Sequence, residues 1–169
     1  MKTFVASVLF SALFLCYKTN AQDCKFFKEG TIKGSGEPFK ETRNTLVKTY
    51  PFGMRKEGSS KFSCSMEISI PGTNAYIITP KDVLVLTLEN EEVIELTPEK
   101  NVAPEKKAAM NGITSLYTPS YSLSKEMLQK LAASPVVKVR ISMDKPIEGP
   151  ARKAEAQEIM KLAACLLKD

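Results

Sequence analysis

The stretch from Ser122 to Met143 limits the fold most, because its apolar period switches from helical to strand-like within a few residues. Ser124 offers a hydroxyl to the orphan N–H groups of a helix start. Leu123 and Leu128 have the spacing of a hydrophobic staple across that start. Met127, Leu128, Leu131 and Ala132 then share one helical face. Pro135 has no N–H and restricts Ser134 before it, so the helix is expected to stop there. From Val137 the period is two, with Val137, Val139, Ile141 and Met143 facing one way and Lys138, Arg140 and Ser142 the other.

Other segments repeat the strand signal. In Lys61–Ile70, residues Phe62, Cys64, Met66, Ile68 and Ile70 alternate with polar side chains, the pattern of a sheet with one wet face. The run from Asp82 to Leu88 is apolar on both faces and belongs centrally, with Val93–Leu96 returning antiparallel across the Glu89–Glu92 turn. Strands are also expected over 42–50, 75–78 and 113–121. Gly30–Pro38, Pro51–Ser60 and Asp144–Pro150 read as loops, and Pro104–Met110, ahead of Asn111-Gly112, as one or two helical turns. A last helix is expected over 151–167, with Glu155, Ile159, Leu162, Ala163 and Leu166 near one face. Strands with hairpin-type turns and helices late in the chain argue for α+β, a mostly antiparallel sheet of about six or seven strands with the two helices on one face. A β-sandwich or barrel with appended helices is the alternative.

The N-terminus has the features of a secretory leader. Lys2 precedes an apolar or small-residue run, Phe4–Leu15, of a length within the ~7–15 residues of such leaders, and Thr19-Asn20-Ala21 offers a cleavage site. The run is short of the roughly 20 residues that span a bilayer, and neither Cys16 nor Cys24 follows a lipoprotein-type sequence. Residues 1–21 are therefore expected to be a signal peptide, and 22–169 a single globular domain in a periplasmic or secreted location. No later apolar run is long enough to cross a membrane. Loss of Lys2 and Lys18 with the leader leaves 22 basic against 19 acidic side chains, a net charge of +3 that is too small and too evenly spread to argue for nucleic acid.

The chain has no histidine and no tryptophan. That excludes Ser-His-Asp and Cys-His nucleophile pairs and metal sites built on histidine, and no cofactor is expected. Gly34-Ser35-Gly36 lacks the context of a phosphate loop. The serine–lysine neighbours are Ser59-Ser60-Lys61 and Ser124-Lys125, and Glu91-Glu92 is an adjacent carboxylate pair in a turn. The aromatic sets Tyr50-Pro51-Phe52 and Tyr117 with Tyr121 are candidate binding surfaces, and Arg140 is a candidate anion contact. The function expected is a non-enzymatic module of the cell envelope or medium that binds an envelope protein or a glycan. The alternatives are a small-ligand carrier with a pocket between sheet and helix, and a hydrolase using a Ser–Lys or carboxylate pair.

Three cysteines remain after the leader, an odd number for an oxidising compartment. Cys64 lies on the inward face of its strand and is expected to stay free. Cys165 falls on the flank of the last helix, within reach of an incoming N-terminal segment, so Cys24–Cys165 is the expected bond; three unpaired thiols, or a free Cys24 in a mobile tail, are the alternatives. The Asn20-Ala21-Gln22 leader end, Cys24, the Val83–Leu88 hairpin strand, Tyr121-x-Leu123-Ser124-Lys125-Glu126 with Lys138-Val139-Arg140-Ile141, and Cys165 together resemble small exported proteins of Bacteroidetes-type bacteria, a group without an assigned activity. The resemblance implies export and carries over no functional residue.

Overall fold

The computed structural model describes residues 24–48, 50–110 and 112–168, so the expected signal peptide, residues 1–21, lies outside them. The described chain runs through β1 (Lys28–Thr31), β2 (Pro38–Glu41), β3 (Asn44–Val47), β4 (Tyr50–Glu57), β5 (Lys61–Met66), β6 (Ile68–Pro71), β7 (Leu84–Leu88) and β8 (Val93–Leu96). It continues through β9 (Glu105–Ala109), β10 (Gly112–Tyr117), β11 (Ser120–Leu123), α1 (Lys125–Ala133), β12 (Val136–Ile141), β13 (Ile147–Pro150) and α2 (Lys153–Leu167). Among the described residues the architecture is α+β with antiparallel pairing and no closed barrel. Its strands are divided among three sheets: β1-β2-β4-β5-β11 with β3 also on β4, then β6-β10-β9, then β13-β12-β7-β8.

The helix–strand unit forms as its sequence dictates. Ser124 Oγ accepts the Met127 N–H, Leu128 and Leu131 are buried, and α1 ends at Ser134 in extended conformation before Pro135. The helices pack on each other, and α2 rests against β3, β4 and β12. One apolar cluster joins the elements, drawing Leu46, Phe52, Met66 and Ile68 from the strands before residue 72, Leu84, Leu86 and Ile141 from the last sheet, and Leu128, Ile159 and Leu166 from the helices. Each such buried Leu, Ile, Phe or Met is worth about 1.5–3 kcal/mol over an exposed one.

Several expectations are corrected. Residues 51–57 are strand, not loop: Phe52, Met54 and Lys56 are buried in alternation with Gly53, Arg55 and Glu57, and the Pro and Gly residues masked that period. Residues 105–109 are strand, not helix, because they pair antiparallel with β10 from Ala109 opposite Gly112 to Glu105 opposite Leu116, and Gly112 enters that ladder at φ +120°, which glycine tolerates. Ala75–Ile78 forms no strand; only Ile78 meets Val102, in an isolated bridge. The 144–150 segment contains β13. Val137 is exposed and Val136 buried, because the pairing with β7 slips between Val136 and Lys138 and turns one residue outward. The alternation of Lys61–Ile70 persists, but the chain passes from the first sheet to the second at Glu67.

Candidate functional site

A cleft of about 480 Å³ opens where β4, β6, the loop after β6 and the β12–β13 connection meet. Tyr50 and Tyr76, both half-buried, line it together with Ser69, Asn74, Asp144 and Lys145, over Ile70, Met143 and Ile147. Two aromatic rings, an amide, a hydroxyl and both charge signs thus share one concavity.

The wall that carries Tyr76 is held rigidly from behind by β10. Ser115, fully buried, donates its hydroxyl to the Gly72 carbonyl (2.9 Å) and accepts the Asn74 N–H (2.7 Å). The Asn74 side-chain oxygen accepts the Tyr76 N–H (2.9 Å), the local turn that asparagine favours. Tyr117 donates its hydroxyl to the Tyr76 carbonyl (3.1 Å). Beyond Tyr76, the buried Asp82 carboxylate accepts the Tyr76 hydroxyl on Oδ1, and on Oδ2 the Thr79 N–H (2.6 Å) and hydroxyl (2.9 Å). The Tyr76 phenol is pushed up to about 12, first by its bond to Asp82 and then by burial. The hydroxyl is therefore committed to the scaffold, and the ring is what the cleft offers.

The residues singled out from sequence are dispersed. Tyr117 and Tyr121 are fully buried and Phe52 nearly so, leaving Tyr50 alone of that aromatic set at a surface cleft. Burial pushes the Tyr117 and Tyr121 phenols up, and among the described residues the Tyr121 hydroxyl has no hydrogen-bond partner. Arg140 is exposed on the outer face of β12, its Nε 3.8 Å from Glu148, which also binds Lys138 at 2.6 Å. Lys138 holds the Glu148 carboxyl below the usual carboxylate range. Arg140 lines neither this cleft nor a second hollow of about 480 Å³, whose mostly apolar walls are Pro38, Phe39 and Gly58 with Glu37, Lys40, Lys56 and Ser59, and no helix residue lines either.

The short serine–lysine pairs are engaged otherwise. Lys61 binds Glu57 at 2.8 Å beside the exposed turn of Ser59 and Ser60, and Ser124 caps α1 while donating its hydroxyl to Glu126 (3.1 Å). Glu91 sits at the hairpin tip with φ +68°, and Glu92 binds Lys130 at 2.9 Å, which lowers its carboxyl from the ordinary value. Among the described residues no three Cys, Asp or Glu side chains gather to hold a metal, and no helix is long and apolar enough to cross a membrane.

Cys24 and Cys165 are bonded across a sequence separation of 141, with Cα atoms 5.8 Å apart, and Cys64 is free and buried. The sequence reading missed Tyr76, Asn74 and Asp82. Their signal lies in the spacing of Thr79 and Asp82, that of a capping box without its helix, which marks an ordered loop instead of the strand expected over 75–78. No family model, curated protein or solved structure matches the chain.

Proposed function

We propose that the protein is an exported, non-enzymatic module that binds a neutral glycan in the cleft edged by Tyr50 and Tyr76. The observation that carries this reading is the pairing of two half-buried tyrosines with the Asn74 amide, the Ser69 hydroxyl and the Asp144 and Lys145 charges in one hollow. Sugar rings present apolar C–H faces and equatorial hydroxyls, which such a lining answers with aromatic surface and paired donors and acceptors. The volume suits a mono- or disaccharide unit, within the roughly 300–1,000 Å³ of small-ligand sites. Asp144 and Lys145 offset each other, so a neutral sugar fits better than an anionic one.

Export is supported by the leader-like N-terminus, by the resemblance to exported proteins, and by the Cys24–Cys165 bond, which an oxidising compartment preserves. Protein recovered from its native host should begin at or near Gln22, as read by mass spectrometry of the intact chain.

Titration of the mature chain with a panel of neutral hexose oligosaccharides, followed by calorimetry, tests the glycan reading. A binder is expected within the panel, and Tyr50→Ala or Asp144→Ala should weaken it about tenfold, the loss of one good contact. Failure of every oligosaccharide to bind, or undiminished binding by both variants, overturns it.

A further inference from the structure

Away from the cleft, β9 forms a bare sheet edge. All five of its residues are exposed, and among the described residues only β10 pairs with it. The Gly72 N–H donates to the Ile113 carbonyl (2.7 Å), so the main-chain groups of Ile113 face β6. In an antiparallel ladder these directions alternate, which turns Thr114 toward β9. Ala108, opposite Ile113, and Lys106, opposite Ser115, consequently direct their N–H and C=O outward from the sheet.

The side chains along this edge define its complement. Lys106 and Lys107 outweigh Glu105, whose carboxylate lies 3.6 Å from Lys107 Nζ. Met110 at the turn is wholly exposed, and Ile113 behind Ala108 is 49% exposed. A second copy is a poor occupant. Antiparallel pairing of β9 with another β9 in full overlap sets Lys107 against Lys107, and like charges directly opposite are destabilising. Edge lysines of this kind discourage self-pairing and leave the same main-chain groups open to a strand of opposite charge.

We propose that β9 takes an extended acidic segment of a partner protein by strand addition, with acidic side chains beside Lys106 and Lys107 and apolar ones beside Ala108, Met110 and Ile113. Main-chain bonds to Lys106 and Ala108 would supply affinity, and the lysines would select charge. This reading is independent of the glycan cleft.

Fluorescence anisotropy of the oxidised mature chain with a labelled soluble peptide that carries adjacent glutamates flanked by valines tests it, against a matching peptide with lysine in place of glutamate. The acidic peptide should bind and the basic one should not, with affinity falling as salt rises. Ala108→Pro removes an outward N–H without touching the bonds to β10, and should weaken the acidic peptide about tenfold. The exposed double change Lys106→Glu with Lys107→Glu should transfer the preference to the basic peptide even if the proline variant folds poorly. Equal binding of both peptides, an unchanged preference after charge reversal, or a dimer in ultracentrifugation that the acidic peptide does not dissociate would each overturn the proposal.

Discussion

A Cβ atom on Gly53 would stand 2.8 Å from the carbonyl oxygen of Thr42. This close approach explains how β2 and β3 both pair along one edge of β4. The chain crosses from one to the other at Thr42 and Arg43, and there the Thr42 N–H donates to the Met54 carbonyl (2.8 Å) while its hydroxyl accepts the Met54 N–H (2.9 Å). Thr42 is pinned by both bonds and cannot yield to a larger neighbour.

Gly53→Ala should therefore destabilise the fold by about 1–3 kcal/mol, the usual cost of overpacking. Gly30→Ala is the control, because its Cβ would meet only the Phe39 ring at 3.4 Å, an ordinary contact. Urea unfolding of the oxidised mature chain separates the two. Equal midpoints for both variants would contradict the steric account.

The Cys24–Cys165 bond closes a loop of 141 residues in sequence separation. Cys24→Ser with Cys165→Ser should lower stability by about 2–5 kcal/mol, chiefly by freeing the unfolded chain. Cys64 is buried, and that burial pushes its thiol well above the ordinary value. It should resist thiol reagents in the native chain and react once urea unfolds it. A non-reducing peptide map that found Cys64 in any disulfide would refute this assignment.

How far the sequence revealed the fold depended on whether local pattern and tertiary contact agreed. They agree at Ser124–Pro135, where cap, staple and breaker act within a dozen residues, and at Leu84–Leu96, where β7 lies between β8 and β12 with Leu84, Leu86 and Leu88 buried. They disagree at Pro51–Glu57, whose proline and glycines suit a turn, and whose strand state depends on partners in β2, β3 and β5 that are far from local. They disagree again at Glu105–Ala109, a run of helix formers held extended by pairing with β10. The cleft was illegible for a related reason. Tyr50, Asn74, Tyr76 and Asp144 come together only through contacts between sheets, whereas Tyr117 and Tyr121, conspicuous in the sequence, have the aromatic bulk that the core needed.

Those two core tyrosines should respond oppositely to loss of their hydroxyls. Tyr117→Phe leaves the Tyr76 carbonyl without its donor and should cost about 1 kcal/mol. Tyr121→Phe removes a buried hydroxyl that bonds to nothing among the described residues, so stability should hold or rise by roughly 1 kcal/mol. Thermal and urea unfolding of the two variants in parallel measure the contrast; a larger loss for Tyr121→Phe would mean that its hydroxyl has a partner after all.

Tyr76 gives the fold a dependence on alkaline pH. Its phenol is pushed from the ordinary 10 up to about 12, so the folded chain keeps a proton that the unfolded chain has already released. In that window the unfolded state binds fewer protons, and stability falls as pH rises. The contribution is complete below about pH 10 and lost as pH passes through about 12. Tyr117 and Tyr121 shift in the same direction, which makes the difference between the parent chain and Tyr76→Phe the quantity to measure. The gap in stability between them should be widest below pH 10 and close toward pH 12. A constant gap would show that the Tyr76 phenol is not raised in the folded chain. The same variant separates scaffold from ligand contact: if only the ring of Tyr76 meets a sugar, Tyr76→Phe should lose stability while glycan affinity stays within about twofold, since no hydrogen bond to the ligand has been removed.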